Sequence, residues 1–392
     1  MKSINLAEGT ITQTELEATA KWMTQGNRLT KSDLTAQFEL EFANWIGSKH
    51  AIFVNSGSSA NLLMIASALQ AGRLRNTIAI APAVSWVTTV SPLLQLGFDV
   101  RLCDCDSTDL GMDPEHLEEL CKRNPPSLVI LVHVLGHPNK MREIIEICER
   151  YDVLLIEDSC EALGSEYSSK KLGNHSTAGS FSFYYGHHIS TIEGGMVVTN
   201  DSDLHQLMLS LRSHGWSRDL SHEKRDQLQK KFSVDDFSNL YTFYHPGFNL
   251  RSTDLQAHLG IQQLGRLNSV CELRSKNFVR YRKNLPEFFA QDSSANFLSS
   301  FSYGTLVENR EEAFITLKNN QIESRPLICG NIARHPFWQS RAEDKYLPNA
   351  NVVHDYGIYL PNHHNLSASD IDRVCEVFRS VAIPKFFHGI YD

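Results

Sequence analysis

The chain has 392 residues, of which 42% are hydrophobic and 21% charged, with a formal net charge of -8. This balance suits a soluble globular enzyme with two domains, or one large unit and a smaller companion, and argues against nucleic-acid or membrane-surface partners. No basic block, signal-peptide core or apolar run of about 18 residues occurs, and the eight cysteines form no CxxC pair, so a cytoplasmic setting with reduced thiols is expected.

Phe38, Phe42, Trp45 and Ile46 recur at helical spacing before Gly47, which predicts a helix over 32–46. Strands and helices then alternate: a strand over 50–54, a helix over 59–69, a strand over 77–81 and a helix over 86–96. The runs 127–132 and 153–156 are continuously apolar, as strands buried on both faces are. Residues 196–199 read as a further strand, followed by a helix over 203–213. Such alternation predicts an α/β fold whose mostly parallel sheet is covered on both faces. From 217 to 245 the chain turns polar and reads as a surface excursion. A helix over 253–267 then leads to a smaller C-terminal domain, giving an expected division into 1–250 and 251–392.

Several motifs stand where such folds place their sites, outside the carboxyl ends of strands. Asn55-Ser-Gly-Ser-Ser-Ala-Asn61 follows a strand and opens a helix. Its free amides and hydroxyls suit a phosphate, although an N-cap and a tight turn would read the same way. Pro82-Ala-Val-Ser-Trp86 ends on an indole that can stack on a planar ring or simply pack in the core. Glu157-Asp158-Ser-Cys-Glu161 closes a buried strand, where a carboxylate can pair with a protonated ring nitrogen or cap a helix.

The most telling segment is Ser180-Phe-Ser-Phe-Tyr-Tyr-Gly-His-His-Ile-Ser-Thr-Ile-Glu-Gly-Gly195. Ser182 offers a further hydroxyl. Adjacent His187 and His188 cannot both project the same way from an extended segment, so one can face a site while the other packs elsewhere. In this order, the motifs resemble the DegT/DnrJ/EryC1/StrS sugar aminotransferases, enzymes of the aspartate-aminotransferase (fold type I) fold that use pyridoxal 5'-phosphate (PLP). The resemblance runs from the 38–47 helix to Pro361 and includes Arg212-Ser-His-Gly-Trp-Ser-Arg218, Pro246-Gly-Phe-Asn-Leu-Arg251 and Arg325-Pro-Leu-Ile-Cys-Gly-Asn331. Where the family carries the lysine that holds the cofactor covalently, this chain has His187. An imidazole cannot form that bond, but it can move a proton near neutral pH. A His-His pair before Glu-Gly-Gly resembles a branch of sugar 3-dehydratases within the family.

The resemblance implies a role for each matching residue. Gly57, Ser58 and Ser182 would bind the phosphate, Trp86 would stack on the ring, Asp158 would pair with the pyridinium, and Glu161 would stand beside the ring. Asn249 would contact the cofactor of a second subunit, which implies a homodimer, and Arg251 would meet a carboxylate or phosphate of the substrate or co-substrate. His187 would be the catalytic base. The implied reaction takes a nucleotide-linked 4-keto-6-deoxyhexose, with glutamate as amino donor through pyridoxamine 5'-phosphate. It gives a 3-deoxy-4-keto sugar and ammonia, on the way to a colitose-like 3,6-dideoxysugar. Related dehydratases with an iron–sulfur cluster use four late cysteines. After Cys160 only Cys271, Cys329 and Cys375 remain here, so no cluster and no metal are expected. Two other readings stay open: a nucleotide-sugar aminotransferase that draws on another amine, and a non-catalytic scaffold.

Overall fold

The computed structural model describes residues 2–339, 341 and 346–387. Two helices, α1 (Gln13–Met23) and α2 (Asp33–Ile46), precede strand β1 (His50–Val54). Then come α3 (Gly57–Gln70), β2 (Ile78–Pro82), α4 (Val87–Gln95), β3 (Asp99–Cys103), α5 (Pro114–Arg123), β4 (Leu128–Val132), α6 (Met141–Arg150) and β5 (Leu154–Asp158). A short hairpin of β6 (Glu166–Tyr167) and β7 (Lys170–Lys171) leads to β8 (Gly179–Ser182), β9 (Gly195–Thr199) and α7 (Ser202–Arg212).

The main sheet has seven strands in the order β1-β9-β8-β5-β4-β2-β3. Only β9 runs against the others, pairing antiparallel with both neighbours. This is the mostly parallel, mixed α/β sheet expected from the alternation. Burial explains the apolar runs: every residue of β4 is buried, as is nearly all of β5. Phe38 and Phe42 from α2 close the β1 side, where their rings meet Phe53, Phe181 and Phe183.

The excursion over 217–245 is not merely irregular. It holds α8 (His222–Phe232) and α9 (Asp236–Asn239). α8 buries only Leu228, so no apolar stripe announces it. It is supported instead by Ser221 as N-cap, Glu223 in its first turn and Lys230 and Lys231 in its last. The helix expected over 253–267 breaks at Gly265 and Arg266 into α10 (Asp254–Leu264) and α11 (Leu267–Asn284).

The C-terminal part holds β10 (Tyr303–Leu306), α12 (Arg310–Asn319), β11 (Arg325–Pro326), α13 (Pro348–Tyr356), β12 (Gly357–Leu360) and α14 (Ala368–Arg379). Its three strands form a separate sheet, β10-β12-β11, with a core of its own against α11, α12 and α14. The amino terminus belongs to this part in space, because Ile4 bridges Ile322. No helix among the described residues is long and apolar enough to cross a membrane.

Candidate active site

At the carboxyl ends of the parallel strands lies a cavity of about 320 Å³. Gly57, Ser58, Trp86, Asp158, Glu161, Ser182 and His187 all line it, although they come from four separate stretches of chain. Asn249 and Arg251 do not. Asn249 is exposed and bridges Ser213, and Arg251 lies in a second depression with Arg28, Lys31 and Arg218.

The phosphate turn is built by α3. Ser56 caps the helix by accepting from the Ser59 amide at 3.0 Å, and its carbonyl takes the Ala60 amide. The Gly57 and Ser58 amides, which have no acceptor within the helix, therefore stay free at its positive end. A Cβ on Gly57 would stand 2.6 Å from Ser182 Cβ and 3.0 Å from Cys160 Sγ, so the cradle exists only because residue 57 has no side chain. Trp86 stands at the N-cap position of α4 on the cavity wall, 57% exposed and with no stacking ring beside it among the described residues.

Asp158 ends β5 and is buried. Its Oδ2 accepts from Asn61 Nδ2 at 2.7 Å and Thr89 Oγ1 at 2.8 Å, and Oδ1 accepts from the Cys160 amide at 3.1 Å. Ser180 Oγ in turn donates to Asn61 Oδ1 at 2.6 Å, which fixes the amide so that its NH₂ faces the carboxylate. The motif containing Asn61 is legible in the sequence, but this bracing role is not.

Glu161 accepts the Leu135 amide at 2.8 Å through Oε2. Burial pushes its carboxyl up to about 8; the Leu135 hydrogen bond opposes the shift and the Asp158 charge adds to it. The group thus holds a proton at neutral pH and can donate into the cavity.

His187 sits in a turn rather than an extended segment: its amide donates to Tyr184 O, and Gly186 has φ 86°. The imidazole Nδ1 lies 2.9 Å from Cys160 O. A carbonyl can only accept, so Nδ1 carries the proton and Nε2 is left as the free base. Burial pushes the ring down to about 4, the Cys160 bond opposes this, and Arg274 lowers it further. His188 diverges as expected: it is buried, with Nε2 at 2.8 Å from Ser299 Oγ.

The residues fit a planar, phosphorylated pyridine. There is a cradle of free amides for a phosphate, an exposed indole for a ring face, a braced carboxylate for a ring nitrogen, and a neutral imidazole in place of an amine.

Comparison with known proteins finds relatives over most of the chain. The sequence model of the DegT/DnrJ/EryC1/StrS aminotransferase family matches residues 10–379. The GDP-4-keto-6-deoxy-D-mannose 3-dehydratase of Yersinia pseudotuberculosis is 32% identical over 377 residues, covering 93% of this chain and 95% of the relative. The protein of the same description from Escherichia coli O55:H7 is 33% identical over 365 residues, 89% of this chain and 93% of the relative. A solved structure of the E. coli enzyme with bound hydrated PLP has a TM-score of 0.89 at 31% identity, covering 96% of this chain and 100% of that one.

Proposed function

The chain belongs to the DegT/DnrJ/EryC1/StrS aminotransferase family, and from that premise we propose that it is a PLP-dependent sugar 3-dehydratase acting on GDP-4-keto-6-deoxy-D-mannose. The observation that carries the reading is His187: a neutral imidazole with Nε2 free, in the cavity that holds Asp158, Ser182 and Trp86. The reaction balances as 4-keto-6-deoxy sugar plus glutamate giving 3-deoxy-4-keto sugar, 2-oxoglutarate and ammonia; the oxygen lost from C3 is matched by the one gained on the glutamate skeleton. The product would lead to a 3,6-dideoxysugar such as colitose, destined for an O-antigen.

When bound, the cofactor supplies an electron sink and, in its pyridoxamine form, an acidified carbon. Gly57 and Ser58 amides, with the Ser58 and Ser182 hydroxyls, would hold its phosphate. Asp158 would keep the pyridine nitrogen protonated, and Trp86 would offer its face to the ring. Nε2 of His187 takes up the proton. Because burial makes the resulting imidazolium a stronger acid than an exposed one, it can pass that proton to the departing C3 hydroxyl. Asn249 and Arg251 would complete the site of a second copy in a homodimer, since neither reaches the cavity of its own chain.

The proposal is tested by adding PLP and then borohydride. Cofactor that shifts the absorbance but dialyses away after reduction supports a non-covalent site. Cofactor fixed to the chain would mean that a lysine serves it, favouring the aminotransferase.

Two results should accompany this. Gly57→Ala places a Cβ against Ser182 and Cys160; strain of about 1–3 kcal/mol is expected, seen as about 10- to 100-fold weaker PLP binding by absorbance titration. Glu161 holds its proton below about 8 and loses it as pH rises through that value. A contribution that needs the proton fades on the alkaline side. Glu161→Gln, a permanent donor, should flatten the alkaline limb of the kcat profile and keep activity near pH 7 within about tenfold.

A further inference from the structure

Arg274, on α11, is 1% exposed and has no carboxylate beside it among the described residues. Its Nη1 donates to the carbonyls of Phe301, at 2.8 Å, and Asn362. Its Nη2 donates to those of Gly186, at 3.0 Å, and His187, at 3.4 Å. Burial lowers its pKa to about 10, so the group stays charged at neutral pH. A buried cation held only by neutral acceptors is a poor source of stability. What it does accomplish is geometric. The fork joins three segments, and two of them bound His187: the turn that carries the imidazole, and the loop whose Phe301 ring lies 5.0 Å from it.

We propose that Arg274 is the positioning residue for His187, a reading that rests on the proton-transfer role assigned to that imidazole above. The planar guanidinium fixes the carbonyls of residues 186 and 187, so the ring leaves the backbone at a set angle, and it fixes the loop whose Phe301 ring lies tilted beside the imidazole. Lysine could not do both, because its ammonium lacks the rigid fork. The groups around the imidazole are Arg274 from α11, Asp158, Cys160 and Glu161 from the end of β5 and the turn after it, and His188 beside it. Arg274 opposes the imidazolium and Asp158 favours it. Removing the arginine charge must therefore let His187 take a proton at higher pH.

The test uses Arg274→Met and Arg274→Lys, read in two ways. NMR titration of ¹⁵N-histidine-labelled, cofactor-free protein, with the His187 signal identified through His187→Asn, reports the imidazole directly. Arg274→Met should move that titration to higher pH, and Arg274→Lys should leave it nearly in place. In the loaded enzyme both should lower kcat about 10- to 100-fold with KM for the sugar within about threefold, as a small misplacement of a reacting group does. A folded Arg274→Met with an unmoved titration, or a loss confined to KM, would overturn the proposal. If that variant does not fold, an Arg274→Lys protein with unchanged kcat would overturn it. Because the titration needs neither cofactor nor substrate, a shift there in a chain that dehydrates no sugar would sink the functional reading and leave the positioning role standing.

Discussion

Asparagine at position 187 is expected to lower turnover of the nucleotide sugar by about 10²- to 10⁴-fold while PLP binding stays within a few-fold, the usual worth of a positioned base. The amide can still donate to Cys160 O, as Nδ1 does at 2.9 Å, so the turn keeps its anchor. It has nothing that takes up and returns a proton where Nε2 stood. The residues proposed to contact the cofactor lie elsewhere, at the starts of α3 and α4 and the ends of β5 and β8, and are untouched. Single-turnover rates and a cofactor absorbance titration, run on the same protein, check both halves. Full activity would move the role to another group. His188 could not readily inherit it, being buried against Ser299 and turned from the cavity.

Asp158→Asn should cost about 10²- to 10³-fold in kcat, the scale seen when a preorganised electrostatic partner is removed. The surroundings make this isostere a harsh change. Asn61 Nδ2 and Thr89 Oγ1 both donate to Oδ2, so an asparagine must turn its oxygen to them. Its NH₂ then falls where Oδ1 accepted the Cys160 amide, placing donor against donor and presenting N–H groups to a protonated ring nitrogen. A pyridine ring held there would lose both its proton and its capacity as an electron sink. The half-reaction with glutamate, followed by release of 2-oxoglutarate, should slow along with the sugar reaction. Loss of the sugar step alone would place the role of Asp158 elsewhere.

The sheet is legible in the sequence wherever burial is two-sided. β4 and β5 show as continuous apolar runs because helices cover both of their faces. β3 does not show, because Asp99 and Arg101 alternate with its buried residues at the sheet edge. α8 is hidden for the opposite reason, since its stability comes from caps and terminal charges rather than an apolar stripe. In the site, residues that touch the cavity are legible because their motifs end strands and open helices. Those that brace them are not. Thr89, Phe301 and Arg274 meet Asp158 and His187 only through the tertiary fold, and nothing local in the sequence links them. Local chemistry alone does not tell which histidine faces the cavity; the resemblance names His187, and the turn at Gly186 presents it there.

The central claim is best tested by incubating the protein with PLP, glutamate and GDP-4-keto-6-deoxy-D-mannose, then following the sugar by mass spectrometry and ammonia by a coupled assay. The account predicts a sugar lighter by one oxygen atom and an equal amount of free ammonia. An amino sugar, with nitrogen retained and no ammonia released, would contradict it.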